Sequence, residues 1–427
     1  MRIYVKSLGC KLNQSEMDSL AERFSQRGHQ VVSSPVEADL CVLNTCAVTH
    51  VAAQKSRQAL RRLHRESPQA SLVATGCYAE LTPGDLCELP GVALVVGNQG
   101  KERLEELIGV EMTDDEQAEG TPHGPLPLPR SRTRALVKIQ DGCDNACAYC
   151  IIHVARGPQH SRPEDQILDE IRARLAAGHQ EIVLTGVHIG AYGQDRHSDG
   201  ASTDLWTLVD RILVETGVPR LRLSSIEPWD LEERAFRLWD DARLCRHLHL
   251  PLQSGCDATL RRMARRYTTA EFEALVKAAR AAIPDLAVTT DVIVGFPGET
   301  DGEFAQGLSF VQTLGFARVH VFPYSLRAGT AAAKLPDHVP PPLKAERARA
   351  MRGIASASEH TFQQKFIGRT FDVLWEASRE ERDGSLVWSG LTDNYLRVQT
   401  LSSADLTNTI TSTRLCALVN GSLQGEL

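Results

Sequence analysis

Long apolar runs are missing from this sequence, and none approaches the roughly 20 residues that a membrane-spanning helix needs. The N-terminus, Met1 to Val5, enters a strand-like pattern at once and shows no cleavable signal. Internal repeats and strong low-complexity tracts are absent as well. These absences argue against a membrane protein and predict a cytoplasmic location as the default.

Excess positive charge is also missing. Asp and Glu number 54 against 47 Lys and Arg, which gives a net charge of −7. This balance argues against a generally basic surface for nucleic acid, although a local basic patch can still hold phosphates.

Cysteine, in contrast, is abundant, with eleven in 427 residues. Structural disulfides are rare in a reducing compartment, where clustered thiols more often bind metals. The cysteine content therefore predicts a metal centre.

The length predicts several domains, because 427 residues exceed one ordinary core. Residues 111–134 turn acidic, then proline-rich, then basic, which is typical of a linker, and Pro336 with Pro340 to Pro342 marks a second break. The predicted boundaries are 1–112 for an N-terminal α/β domain, 113–134 for a linker, 135–335 for a barrel, 336–367 for a linker with a polar helix, and 368–427 for a small all-β module.

The N-terminal domain is predicted to alternate strands and helices in an open α/β fold. Strands are predicted at 2–6, 39–43, 71–75 and 93–96, and helices at 14–27, 52–65 and 100–108. Asn13 and Glu16 resemble a capping pair at the start of the first helix.

The central region repeats a strand–helix unit. Strands are predicted at 135–140, 181–185, 220–226, 247–252, 287–294 and 317–322, and helices at 163–177, 203–216, 270–282 and 301–314. Six such units predict a parallel sheet closed into a partial (β/α)6 barrel. The tail over 370–427 has period-2 segments, which predict a small all-β module.

The motif Cys143-x3-Cys147-x2-Cys150 is the strongest chemical signal. It directly follows the first barrel strand, at the face where β/α barrels place their chemistry. Three thiolates on a four-iron cluster leave one iron open, and an open iron can chelate S-adenosylmethionine (SAM) and cleave it to a 5′-deoxyadenosyl radical. The motif thus predicts a radical SAM enzyme.

A structural zinc site is the alternative interpretation of this motif. His153 follows Cys150 by three positions and could complete a Cys3His tetrahedron. The chain would then be a zinc-stabilised RNA-binding protein without catalysis. The six-unit β/α context favours the iron–sulfur cluster over zinc.

A second cysteine set consists of Cys10, Cys46 and Cys77, each just after a predicted strand. The carboxyl ends of parallel strands share one edge of an open sheet, so these residues can converge there. From the residues alone, a second three-thiolate site and a set of small buried core residues are both compatible with this pattern.

Four motifs resemble, in the same order, the signatures of the radical SAM methylthiotransferase family. They are Gly9-Cys10-Lys11-Leu12-Asn13-Gln14-Ser15-Glu16, Asn44-Thr45-Cys46-Ala47-Val48-Thr49, Gly76-Cys77-Tyr78-Ala79, and Gln140 through Ile152. The resemblance covers essentially the whole chain. It implies a second [4Fe-4S] cluster on Cys10, Cys46 and Cys77, and two SAM molecules for sulfur insertion and methylation. His153 departs from the family, which commonly has proline there.

Within the family, the sequence is most similar to the branch that acts on N6-threonylcarbamoyladenosine beside the tRNA anticodon. Gly9 to Gln14, Leu184 to Gly193 and Ser224 to Pro228 carry this similarity, and the rival branches of the family usually differ at the first of these motifs. It implies 2-methylthiolation at tRNA position 37, with the anticodon loop and a low-potential donor such as flavodoxin or ferredoxin as partners. The branches that act on isopentenyladenosine or a ribosomal-protein aspartate are the rivals.

The tail resembles a TRAM domain, which is an RNA-binding fold. Its basic content is modest, with five Arg against eight acidic residues in 368–427. Strong phosphate binding by this module is therefore not favoured by charge.

Groups at the strand ends are the candidates for holding SAM. Predicted cofactor-binding residues are Tyr149, Thr185, Gly186, Glu227, Gln253 and Gly295. Glycine admits a close backbone approach, and a carboxylate can accept hydrogen bonds from ribose hydroxyls or an amino group. Asp291, inside an apolar run, fits either a barrel lining or a backbone bond.

A short basic run completes the predicted sites. Arg261, Arg262, Arg265 and Arg266 place four cations beside Tyr267. Phosphate contacts with base stacking would suit an anticodon loop whose target base is flipped out. A solvated charged face is the alternative.

Overall fold

The computed structural model describes residues 1–109, 133–196, 203–381 and 383–427, so most of the predicted linker at 113–134 lies outside the described residues. Contacts divide the chain into two compact units. The first comprises Met1–Ser131, Gln140–His160 and Ser325–Ala333, and the second comprises Arg132–Ile139, Ser161–Tyr324 and Lys334–Leu427. None of the described helices combines the length and apolarity that crossing a membrane requires.

The first unit contains an open parallel sheet. Its strands are β1 (Arg2–Ser7), β2 (Gln30–Val32), β3 (Leu40–Thr45), β4 (Ser71–Gly76) and β5 (Val92–Val96), in the order β2-β1-β3-β4-β5. Its helices are α1 (Lys11–Gln26), α2 (His50–Glu66), α3 (Cys77–Leu81), α4 (Pro83–Cys87), α5 (Leu104–Leu107) and, beyond the cysteine loop, α6 (Ile152–Arg156). All six residues of β3 are buried, as expected for a central parallel strand with both faces covered.

Two local predictions for this unit differ from the structure, and its shortest strand is not among the predicted ones. Helix α1 begins at Lys11 with Cys10 at its N-cap position, so the predicted Asn13–Glu16 capping pair is wrong. Both side chains lie one turn inside the helix and bond to other segments. Strand β2 has only three residues, too few to show a period-2 pattern. The predicted helix at 100–108 is a 3-10 turn at 101–103 followed by the single turn of α5.

The second unit carries the barrel strands and their helices. The strands are β6 (Arg134–Lys138), β9 (Glu181–Thr185), β10 (Arg220–Leu223), β11 (His247–His249), β12 (Ala287–Val294) and β13 (Arg318–Pro323). The helices are α7 (Glu164–Ala176), α8 (Leu205–Glu215), α9 (Asp257–Arg262), α10 (Thr269–Ala282), α11 (Asp301–Leu314) and α12 (Pro341–Gln364). Two short strands of two residues each, β7 (Gln140–Asp141) and β8 (His160–Ser161), flank the cysteine loop.

The six barrel strands are parallel to their neighbours. Ladders join β6, β9 and β10 in one sheet and β11, β12 and β13 in another, and parallel bridges at Leu221–Leu244 and Ser225–His249 link the two. This arrangement confirms the predicted partial (β/α)6 barrel.

The tail forms a closed five-stranded barrel, which confirms the predicted all-β module. Its strands are β14 (Thr370–Glu380), β15 (Leu386–Thr392), β16 (Arg397–Leu401), β17 (Ile410–Val419) and β18 (Ser422–Glu426). Arg222 of the barrel sheet connects this module to the same unit. Its side chain forms a buried ion pair with the Glu181 carboxylate and also donates to the backbone carbonyls of Thr392 and Asp393 in the module. Burial alone would raise the pKa of Glu181, but the Arg222 and Arg220 guanidinium groups outweigh it and hold the pKa at about 2.

Candidate functional site

The carboxyl edge of the first unit's sheet brings three cysteines to neighbouring turns. β1, β3 and β4 are adjacent in the sheet, and each is followed within a few residues by a cysteine. Cys10 occupies the N-cap position of α1, Cys46 follows β3 directly, and Cys77 begins α3. The predicted convergence of this set is therefore present.

Two glycines allow these turns to approach one another. Gly9 has φ +101°, and a Cβ added there would lie 2.8 Å from the Cys46 Cβ and Sγ atoms. Gly76 has φ +98°, and its added Cβ would lie 2.1 Å from the Asn44 side-chain oxygen. Both positions require glycine, because larger residues would strain the backbone and separate the cysteine-bearing turns.

The chemistry of these thiols suits metal binding. Cys46 and Cys77 are buried, and burial raises the pKa of Cys46 to about 11. The free Cys46 thiol is thus neutral near pH 7, and a metal binding there would have to displace its proton. Asn98 donates a side-chain N–H to the Cys77 sulfur at 3.7 Å, which is a polar contact of the kind that tunes iron–sulfur ligands.

The second cysteine loop is closed on itself. Cys143 donates its backbone N–H to Gly157 O at 3.1 Å, and Cys150 donates to Cys147 O at 3.1 Å. Gly142 has φ +67°, and a Cβ there would lie 1.8 Å from Pro158 O. These contacts curl the segment so that its three cysteines share one short loop.

Backbone N–H groups point at the sulfurs of this loop. Asn145 N lies 3.4 Å from Cys143 Sγ, and Ile152 N lies 3.4 Å from Cys150 Sγ. Hydrogen bonds to cysteine sulfur stabilise thiolates and are common around iron–sulfur clusters. All three cysteines are partly exposed, so the loop presents its thiols to a ligand.

Arg156 joins the two cysteine regions within the first unit. Arg156 belongs to α6, which directly follows the cysteine loop. Its guanidinium lies 2.8 Å from a Glu16 carboxylate oxygen, 2.8 Å from an Asp141 carboxylate oxygen and 2.6 Å from the Asn13 side-chain oxygen. Its side chain is 1% exposed. Burial alone would lower the pKa of Arg156, but the Glu16 and Asp141 carboxylates outweigh it, and the pKa is raised.

The network extends to further residues that the sequence did not single out. Lys101 also binds Glu16, Asn44 donates to both Glu16 and the Asn13 carbonyl, and Asn98 donates to Ala155 O. The Asn-x-x-Glu spacing of α1 is the local signal for this network, and the same spacing is typical of a helix cap. The partner of Glu16 is 140 residues away in sequence, and no local pattern predicts it.

The predicted SAM residues occupy varied environments. Tyr149 lies in the cysteine loop of the first unit and is partly buried. In the second unit, Thr185 ends β9 and is buried, and Gly186 follows it. Gln253 has φ +63°, an uncommon conformation for a residue other than glycine and one often found at ligand sites.

Two of these residues already have structural partners. Glu227 binds Arg265, and Gly295 donates its N–H to Glu299. A Cβ at Gly295 would also lie 2.2 Å from the Lys344 side chain, so packing against α12 is sufficient to require glycine there.

The basic run divides into buried and exposed members. Arg265 is 7% exposed, bonds to Glu227 and Pro251 O, and lies 4.7 Å from the Trp229 ring centre. Arg262 is held by Glu303 at 2.6 Å. Arg261 and Arg266 are exposed, so these two are the members best placed to reach a phosphate.

Two family profiles match the chain. Residues 137–311 match the Radical SAM superfamily, and residues 2–97 match a family described as Uncharacterized protein family UPF0004. The two matches cover the two cysteine regions separately.

Curated relatives match over nearly the full length. The chain is 35% identical over 419 residues, 96% of this chain and 92% of the relative, to the threonylcarbamoyladenosine tRNA methylthiotransferase MtaB of Bacillus subtilis. It is 34% identical to the protein of the same name from Thermotoga maritima, over 88% of this chain and 86% of that one. A tRNA-2-methylthio-N(6)-dimethylallyladenosine synthase from Syntrophus aciditrophicus is 32% identical over 100% of this chain and 94% of its own length.

Among solved structures, the chain is similar in fold to the radical S-adenosylmethionine methyltransferase TsrM from Kitasatospora setae, solved with cobalamin and a [4Fe-4S] cluster bound. The TM-score is 0.54 at 17% identity, and the match covers 75% of this chain and 74% of that one. At this identity the similarity supports the fold alone.

Replacing Arg156 should destabilise the first unit. Arg156→Met leaves Glu16 and Asp141 without their shared cation, and breaking a buried ion pair costs about 3–5 kcal/mol. Arg103→Met is the matched control, since its ion pair with Glu106 is exposed and contributes about 0–1 kcal/mol. Urea denaturation followed by circular dichroism measures both, and equal effects would contradict the role assigned to Arg156.

Proposed function

The chain belongs to the tRNA methylthiotransferase family of radical SAM enzymes, and from this we propose that it converts N6-threonylcarbamoyladenosine at tRNA position 37 to its 2-methylthio derivative. The choice of nucleoside is supported by relatives from four bacteria that are named for threonylcarbamoyladenosine. The relative named for dimethylallyladenosine, matched over the whole chain, makes that nucleoside the rival substrate.

The observation that carries the proposal is the pair of three-cysteine sites in one compact unit. Cys143, Cys147 and Cys150 form one ligand set, and Cys10, Cys46 and Cys77 form the other. Each set supplies three thiolates and so leaves one iron of a [4Fe-4S] cluster open. When bound, the clusters supply the electron that cleaves SAM and the sulfur that is transferred.

The protein contributes charge and position to these sites. The positive charge of Arg156 acts on Cys10 and Cys46, and a cation close to a thiol favours its ionised, metal-binding form. The same guanidinium holds Asp141, two residues before Cys143. One side chain therefore supports both ligand sets.

In the second unit, SAM binding is proposed for Thr185, Gly186, Glu227, Gln253 and Gly295, and in the first unit it is proposed separately for Tyr149. Gln253 is supported by its left-handed backbone, and Glu227 by a carboxylate whose direction is fixed by its contact with Arg265. Because Glu227 already accepts from Arg265, only its remaining lone pairs are available to SAM.

Nucleoside analysis tests the reaction. Deleting the gene should remove 2-methylthio-N6-threonylcarbamoyladenosine from tRNA and leave its unmethylthiolated precursor, and the wild-type gene, but not Cys147→Ser, should restore it. Mass spectrometry of digested tRNA measures both nucleosides. Persistence of the product in a strain with no second methylthiotransferase gene would refute the proposal, and loss of the dimethylallyl derivative instead would support the rival.

Iron content tests the two ligand sets separately. The anaerobically reconstituted chain should hold about eight irons, and Cys147→Ser or Cys46→Ser should each hold about four. Cys416→Ser, an exposed residue of the tail, is the control and should keep about eight. A colourless protein containing zinc would exclude the cluster assignment, and unchanged iron in Cys46→Ser would exclude the second site.

The salt dependence of tRNA binding tests whether Arg261 and Arg266 contact the RNA. Arg261→Ala combined with Arg266→Ala should weaken tRNA binding and reduce the slope of log K against log salt by about 1.4, since each contact to single-stranded phosphate contributes about 0.7. Arg349→Ala with Arg352→Ala, two exposed residues of α12, is the matched control. Fluorescence anisotropy over a salt series measures the slope. Equal slopes for the two pairs would remove Arg261 and Arg266 from the interface.

A further inference from the structure

A histidine–aspartate–histidine trio lies on three neighbouring strands of the second unit. His249 ends β11, Asp291 lies within β12, and His320 lies within β13. Asp291 and His320 are direct partners in the β12–β13 ladder, and His249 pairs with Thr289, two residues before Asp291. One ligand atom from each of the three lies within 4.8 Å of the other two.

The alternation of β12 places this trio on the inner face of the barrel sheet. Val288, Val292 and Val294 belong to the core cluster that also contains Val276 of α10 and Val311 of α11. Residues at odd positions of the strand, including Asp291, therefore face away from the helices. Ligands of β/α barrels bind at the carboxyl ends of the strands, and His249 is the last residue of β11.

The separation of the ligand atoms suits a shared cation. His249 Nε2 lies 3.4 Å from Asp291 Oδ2. Two ligands at tetrahedral positions around a metal, with bonds of about 2.1 Å, lie about 3.4 Å apart. A well-formed N–H···O hydrogen bond is shorter, at about 2.7–3.2 Å.

A further contact orients the first histidine. His249 Nδ1 lies 2.9 Å from Thr289 Oγ1. A hydrogen bond at one ring nitrogen orients the imidazole and leaves the other nitrogen to act as the ligand, which is the usual arrangement around protein-bound metals. Here Nε2 is the free ligand atom, and it is the nitrogen that faces Asp291.

We propose that His249, Asp291 and His320 bind one divalent transition-metal ion, such as Zn²⁺, inside the barrel. Two imidazoles and one carboxylate suit Zn²⁺, Fe²⁺ or Co²⁺, whereas Mg²⁺ and Ca²⁺ prefer oxygen ligands. Three protein ligands leave at least one coordination position open for water or another oxygen ligand. This site shares no residue with the two cysteine sets and does not depend on the proposed reaction.

Zinc retention by the full chain with its clusters assembled tests the site. The protein is treated with a chelator to remove loosely held iron, incubated with Zn²⁺ and passed through a desalting column, and zinc and iron are then measured by mass spectrometry. About one zinc per chain is expected in the wild type. His320→Gln and Asp291→Asn should each weaken zinc binding at least about tenfold.

A control variant and the identity of the atoms that bind the zinc complete this test. His360→Gln, an exposed histidine of α12, should retain zinc as the wild type does, and zinc X-ray absorption should show only nitrogen and oxygen neighbours. No retained zinc, equal retention in all three variants, or sulfur neighbours would overturn the proposal. Because His320 is exposed, His320→Gln tests the site without altering the core. Iron measured in the same samples reports the clusters independently.

Discussion

The buried contact between Arg156 and Glu16 is the constraint on which the first unit depends. A guanidinium that is 1% exposed has to be neutralised where it lies. Glu16 comes from the first helix and Asp141 from the strand before the cysteine loop, so satisfying one cation fixes both segments. The positions of the two cysteine-bearing segments thus follow from one electrostatic requirement.

The same network sets the electrostatic environment of the thiols. Burial disfavours an ionised Cys46, whereas the charge of Arg156 favours it. Burial also lowers the pKa of Lys101, which Glu16 partly offsets. Burial thus keeps the free Cys46 thiol protonated near pH 7, while the nearby guanidinium would balance the negative charge of a metal-bound thiolate.

The basic run at 261–266 shows why a charge pattern does not by itself identify a binding surface. Arg261 and Arg266 are exposed. Arg265, in contrast, lies over the Trp229 ring and binds the carboxylate of Glu227, a residue that is proposed to bind SAM. The run lies at the end of a short helix, where successive residues point in different directions. Tertiary packing therefore gives adjacent arginines different roles.

The sequence by itself determined the chemistry and the order of the elements. The local patterns are three cysteines in one short loop, three more cysteines that each follow a strand, and six strand–helix units. Local sterics and hydrophobic periodicity suffice to place them. The N-cap of α1 and the three-residue strand β2 are not predicted by such patterns, because their signals are short and shared with other structures.

Only the tertiary structure decided which distant groups meet. Glu16 and Arg156 are 140 residues apart, and Asp291 meets His249 and His320 through the register of parallel strands. A one-residue shift in that register would turn each side chain to the opposite face of the sheet. Register and ion pairing depend on the packing of the whole unit, and for that reason no stretch of sequence read alone contains them.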